Sequence, residues 1–398
     1  MADIKNYLKE KEKREKQNSD YQSVIRKHKM SNMYKTIIAI VLVIIAIVIF
    51  AVQQANKKYT DYEILSSVLR EKAADAVDMQ LWNTVLTYSK DGAHCTRSDG
   101  IVTWNQTYEM QDIQTAINKN VVAIADYNGR NIYVQDTEQT LGQVTTTMPI
   151  KNLAVAENGN VTAVLEDSDV AWLNTYSAGG EMLYKGQTHM HDSGYPAALS
   201  LSPNGELLAA SFVYVDAGVL KTNIEFYNFG PVGMNQSDFV TGVYTYTDLL
   251  VPEINFMNNA SAFAVGDGRL MFYKGSEKPV LEAEYLFSEE LLSVYYNEKY
   301  VGMVYTSDNA ESKYVVRIYD ADGRKVNDIH FDIEYTKILF DKDSVVVYND
   351  TECNVITMDG TVKYNGKFKK TTNLMIPTEK KYRYMLVTND SIDIIQLR

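Results

Sequence analysis

The sequence predicts an all-β chain, a β-propeller of four-stranded antiparallel blades, preceded by a transmembrane helix and a short amphipathic stalk helix. Three observations carry this expectation. From about Thr84 onward, short runs rich in Val, Ile, Tyr and Thr alternate with turn dipeptides, as antiparallel strands require. Nine of the 21 glycines follow Asp or Asn, among them Asp99-Gly100, Asn158-Gly159, Asn204-Gly205, Asp322-Gly323 and Asp359-Gly360, and such pairs suit the positive φ of tight turns. Finally, the strands recur in sets of four over roughly 35 to 55 residues.

Taken in order, residues 1–35 alternate charge, as in Lys9-Glu10-Lys11-Glu12-Lys13-Arg14-Glu15-Lys16, and hold too few apolar residues for a core. They are expected to form a basic cytoplasmic tail, helical or disordered. The run Thr36 to Val52 is seventeen residues without a charge or an amide. A helix rising about 1.5 Å per residue needs about 20 apolar residues to cross a hydrocarbon core of roughly 30 Å, so residues 36–55 are the expected membrane span. Residues 1–36 carry ten Lys or Arg against five Asp or Glu, leaving 29 against 46 for the rest. Basic residues beside a span keep that end in the cytoplasm, so the C-terminal domain is predicted to be extracellular.

Residues 56–82 are expected to be a stalk. Thr60-Asp61-Tyr62-Glu63 has the form of a capping box, and Ile64, Leu65, Val68, Leu69, Ala73, Ala76, Val77 and Leu81 recur at helical steps. Residues 83–398 are assigned to the propeller. One unit reads AALSLSPNG, ELLAASFVYV, TNIEFYNF, GVYTYTDL from Ala197 to Leu249, and another runs from Lys337 to Phe368. Six complete units span about Asp112 to Lys369, flanked by three strands on each side. Eight blades are favoured, with Ala76 to Trp82 an additional strand; seven is the alternative if the terminal blade borrows strands across the ring closure.

Function is far less legible. The acidic balance beyond the span disfavours nucleic acid as a partner. Two cysteines, Cys95 and Cys353, lie in distant units and are expected to be unpaired thiols. His189-Met190-His191-Asp192 is the densest set of metal-ligand types, but it supplies no third ligand and suits a solvated turn better. His94 and His330 stand alone. Asp320-Ala321-Asp322-Gly323 and Asp341-Lys342-Asp343 are fragments of calcium loops without the distal Glu, and Gly266-Asp267-Gly268 lacks the third glycine of a dinucleotide site. The sequence therefore assigns no catalytic, cofactor or metal residue.

Ser202 to Ser211 resembles the first hairpin of WD-repeat blades, and Asp99 to Trp104 resembles the end of a quinoprotein-type blade. The order of basic tail, span and stalk, followed by Tyr88 to Met110 and Val121 to Val134, resembles a family of uncharacterised membrane-anchored propeller proteins of Gram-positive bacteria. That resemblance implies an anchor and a propeller and no activity. The expected role is a non-catalytic binding or scaffolding module for envelope proteins or wall polymer at the outer face of a cell membrane. The alternative is an external glycan- or peptide-acting hydrolase or lyase using carboxylates such as Asp126, Glu166 or Asp267 at the propeller channel.

Overall fold

In the computed structural model, the described residues are all but 1, 56, 169 and 190–193; the side chains of 2, 5, 24, 25, 27, 28, 31, 32, 50–52, 54, 55 and 189 also fall outside the description. The chain forms two compact units, residues 1–58 and 59–398. The first is one continuous helix, Ala2–Ala55, along which Ile37, Ile38, Ile40, Leu42, Ile44, Ile47 and Ile49 are exposed. Among the described residues no helix is long and apolar enough to cross a membrane.

The second unit is eight four-stranded antiparallel sheets. Blade 1 runs Val77–Leu81, Thr84–Ser89, Gly92–Thr96 and Val102–Thr107. Blades 2 to 7 follow in chain order, opening with Ile113–Asn118, Ile150–Val155, Tyr195–Leu201, Glu253–Asn258, Leu291–Tyr296 and Lys337–Asp341. Blade 8 takes Leu374–Pro377, Arg383–Val387 and Ser391–Leu397 from the C-terminus, and its outermost strand, Tyr62–Leu69, from the start of the unit. That strand pairs antiparallel with the C-terminal one from Tyr62 opposite Leu397 to Leu69 opposite Ser391. The ring is thus closed by its own two ends, and the eight-blade expectation stands.

The stalk helix does not form. Residues 62–69 and 77–81 are strands, and in place of a capping box the Asp61 carboxylate accepts the adjacent Tyr62 N–H at 2.7 Å. The apolar residues there mimic a helical period because a register shift between Ile64 and Ser66 interrupts the two-residue alternation. An edge strand of blade 8 gains seven residues of sheet pairing that an isolated helix would lack.

The Asp-Gly and Asn-Gly pairs behave as expected at the tight turns. At Gly100, Gly159, Gly205, Gly323 and Gly360 the glycine N–H closes on the carbonyl three residues earlier, with φ between +72° and +87°. By contrast Gly92 and Gly366 lie inside strands. Gly366 has another use: a side chain there would strike the Tyr364 phenol, which lies across it.

The apolar residues of each blade face its neighbours, so the core is divided into eight clusters, one per seam. The seam between blades 8 and 1 is the poorest. Its cluster has six buried apolar residues among those described, against nine to thirteen at the others, and Asp78 occupies the seam instead. The Asp78 side chain is 1% exposed and ion-paired with Arg70 at 2.7 Å and Lys72 at 3.0 Å. It also accepts the Thr87 hydroxyl at 2.8 Å and the Asn373 amide of blade 8 at 3.2 Å. Burial alone would raise its pKa, but the hydrogen bonds and charges of Arg70 and Lys72, with Thr87, outweigh burial and hold the carboxyl below its ordinary value of 3.8.

Removing one partner of a buried ionic cluster strands the others. Asp78→Ala is expected to cost about 3 to 5 kcal/mol, read as a lower urea midpoint. Because the folded carboxyl titrates below the unfolded one, its contribution is present above pH 3.8 and is lost as the pH falls through the depressed value. The mutant and the parent should therefore converge in strong acid, which urea titrations across pH would check.

Candidate functional site in the central channel

Each blade opens with its innermost strand, and these first strands meet their counterparts around the ring. They run the same way, so one face carries the turns between first and second strands, and the other carries the blade-to-blade connections. On the first face, hydrogen bonds lace the turns of blades 2 to 5 together. Glu157 N–H donates to Pro203 O at 2.9 Å, Asn204 N–H to Asn259 Oδ1 at 2.9 Å and Asn158 Nδ2 to Asn204 O at 2.8 Å. There Asn118 of blade 2 also reaches past blade 3 to Leu201 O of blade 4, at 3.3 Å.

In blade 5 the innermost strand, Glu253–Asn258, alternates over its first four residues. Ile254 and Phe256 are buried against blade 4, while Glu253 and Asn255 are partly exposed, and a register shift after Phe256 leaves Met257 buried as well. Asn255 is an intermediary: its Nδ2 donates to Glu253 Oε1 at 3.0 Å, and its Oδ1 accepts the Tyr296 hydroxyl of blade 6 at 3.0 Å. Tyr296 is 42% exposed, with its ring edge-on to Phe263 at 5.1 Å. Loss of surrounding water pushes the Glu253 carboxyl up to about 7 against the opposing Asn255 hydrogen bond. The same desolvation, with repulsion from Glu253, pushes Tyr296 up to about 12. Lys337, opening blade 7, has its ammonium pKa lowered by desolvation, against the pull of Asp78. Among the described residues no cation is ion-paired with Glu253.

Sequence reasoning passed over Glu253, Asn255 and Lys337. The available signal was Glu253-Ile254-Asn255-Phe256, two polar residues alternating with two apolar ones at the start of a repeat unit.

The carboxylates singled out from sequence are placed otherwise. Asp126, Glu166 and Asp267 lie at the ends of the second strands of blades 2, 3 and 5, on the face opposite the laced turns. Asp126 Oδ1 accepts the N–H groups of Gln111 and Asp112 at 3.0 and 2.7 Å, and Glu166 lies 4.0 Å from Lys151 Nζ. Among the described residues no group of three or more His, Cys, Asp or Glu is placed to hold a metal ion. His189 to Asp192 lie outside the described residues in whole or in side chain. His94 is partly buried at the Asp78 seam, and its pKa is lowered by burial and by Arg70. His330 does not stand alone: its Nδ1 is 3.2 Å from the Ser307 hydroxyl and 3.1 Å from that of Ser312. Among the described residues no carboxylate holds its other nitrogen, so the three lack the orienting acid of a triad. Asp320 Oδ1 accepts Asp322 N–H and Arg324 N–H at 3.0 and 2.8 Å, which makes that segment a hairpin turn. Asp341 is buried beside Lys342.

Cys95 and Cys353 are unpaired and buried. Burial raises both thiols, Cys353 to about 12. Neither is expected to react with a maleimide at neutral pH until the chain is denatured, when mass spectrometry should count two adducts.

Glu253 also sets a pH signature. Its folded pKa lies above its ordinary 4.5, so its contribution to stability is fully present below pH 4.5 and is lost as the pH rises toward about 7. Glu253→Gln is therefore expected to leave stability unchanged at pH 4 and to raise it at pH 8 by up to about 3 kcal/mol. Urea denaturation at the two pH values measures this.

A family model described as a family of unknown function, DUF5711, matches residues 55–397. No curated protein matches the sequence. Among solved structures, BamB from Moraxella catarrhalis is similar at 11% identity over 85% of this chain and 100% of its own, with a TM-score of 0.49. A eukaryotic initiation factor is similar at 12% identity over 84% and 87%, with a TM-score of 0.50. BBS1N, solved in complex with ARL6DN, is similar at 10% identity over 86% and 98%, with a TM-score of 0.43. At these identities the likeness is one of fold.

Proposed function

We propose, from the premise that this chain belongs to the DUF5711 family, that it is a membrane-anchored, extracytoplasmic β-propeller serving as a non-catalytic binding or scaffolding module for envelope proteins or wall polymer. The observation that carries this reading is the self-closed eight-bladed ring. Such a ring presents loops on a scaffold of paired strands, the kind of surface on which recognition residues are held in place. The anchor is supported by the sequence from Thr36 to Val52 and by the exposure of its isoleucines along the helix. The orientation is supported by the basic residues that precede that run, including Arg26, Lys27, Lys29 and Lys35.

The full chain is expected in the membrane fraction and resistant to carbonate extraction. The double variant Ile44→Asp, Ile47→Asp, at about 3 kcal/mol per carboxylate in a span, should move it to the soluble fraction. Externally added protease should cut the propeller in intact cells and spare the tail. Crosslinking followed by pull-down of the intact protein from native envelope should recover specific envelope proteins or polymer. Recovery of nothing above a tail-only control would overturn the scaffolding role.

A further inference from the structure

We propose that the Glu253, Asn255 and Tyr296 cluster is a binding site for a protonated primary amine, such as a lysine side chain on a polypeptide partner. This rests on the binding role above and names the chemistry of one contact. Glu253 carries, on an innermost strand, a carboxylate that among the described residues accepts one hydrogen bond, from the neutral amide of Asn255 3.0 Å away. Asn255 is held at both ends, by Glu253 and by the Tyr296 hydroxyl across the seam between blades 5 and 6, so the carboxylate and the phenol oxygen are fixed relative to one another. An ammonium group has three donors and no acceptor, and here it would meet a carboxylate oxygen and the lone pair of a phenol that is 42% exposed.

Three further considerations point to a cation. Residues 59–398 carry 27 Lys or Arg against 46 Asp or Glu, so the unit as a whole attracts positive charge. A desolvated carboxylate without a counter-ion is costly, and a cationic ligand relieves that cost where protonation would otherwise be needed. Retaining an ionisable group that weakens the fold above neutral pH is also what a site under functional demand does. A divalent metal is the poorer occupant, because one carboxylate with an amide and a phenol lacks the ligands such an ion requires. A guanidinium would need a planar paired acceptor, and Glu253 Oε1 is already engaged by Asn255.

The test is calorimetric titration of the full chain in detergent at pH 8 with Nα-acetyl-lysine amide. Its Nε-acetylated counterpart and Nα-acetyl-arginine amide serve as comparisons. Saturable binding is expected for the free amine, with at least about tenfold weaker binding for the neutral probe and weaker binding for the guanidinium. Glu253→Gln should weaken amine binding at least about tenfold and Tyr296→Phe by a smaller factor, with thermal melts showing both variants folded. If Glu253→Gln fails to fold, Tyr296→Phe and the comparison of probes on the parent chain still decide the matter. No saturable binding up to about 10 mM, equal affinity for the acetylated probe, or undiminished binding by folded Glu253→Gln would each overturn the amine site. Partner recovery from native envelope would be unaffected by that failure, which keeps the two ideas separable.

Discussion

Everything in the propeller depends on the pairing of Tyr62–Leu69 with Ser391–Leu397, which joins the two ends of a chain segment more than three hundred residues long. A blade that lacked this strand would be reduced to three strands with Ser391–Leu397 as its edge, and a ring that lacked the blade would expose two seam faces. Long-range pairing carries an entropic cost before it returns any contact, so closure should be the last and most cooperative event in forming the ring.

The composition of the seam beside that closure follows. Seven seams are filled by generous apolar clusters, whereas the one between blades 8 and 1 is filled in part by Asp78 and its donors Arg70, Lys72, Thr87 and Asn373. A buried ionic cluster is a weak source of net stability but a discriminating one, because only a single arrangement satisfies its partners. Apolar faces accept sliding and alternative docking; a carboxylate with four donors accepts one register. The connection from blade 8 to blade 1 carries Arg70 and Lys72, so the same short segment closes the ring and fixes the registration of the two blades it joins.

Glu253 is the opposite case. Asp78 is buried with ample compensation and strengthens the fold at neutral pH, while Glu253 has one neutral donor and weakens it. Two carboxylates on innermost strands of one channel thus have pKa values driven in opposite directions by their surroundings. The contrast follows from their partners, four donors of which two are cationic at Asp78 against a single neutral amide at Glu253. Tyr296 and Asn255 extend that second site across a seam, so its geometry depends on blades 5 and 6 being correctly docked.

The propeller was legible from the amino-acid sequence alone because its signals are local: strand alternation, Asx-Gly turns and a repeat that returns every four strands. The six uninterrupted units and the strand at Ala76 to Trp82 could be laid out in this way, and so could the uncharged run from Thr36 to Val52. The role of residues 62–69 could not. Ile64, Leu65, Val68 and Leu69 suit a helix as well as a bulged strand, and the partner that decides between them lies at the far end of the chain. The channel site was hidden for a related reason, since Tyr296 belongs to blade 6 while Glu253 and Asn255 belong to blade 5, and the three acquire their chemistry only when the two blades dock and water is withdrawn from the carboxylate. Local periodicity fixes what a segment can become; desolvation and pairing across hundreds of residues belong to the folded ring.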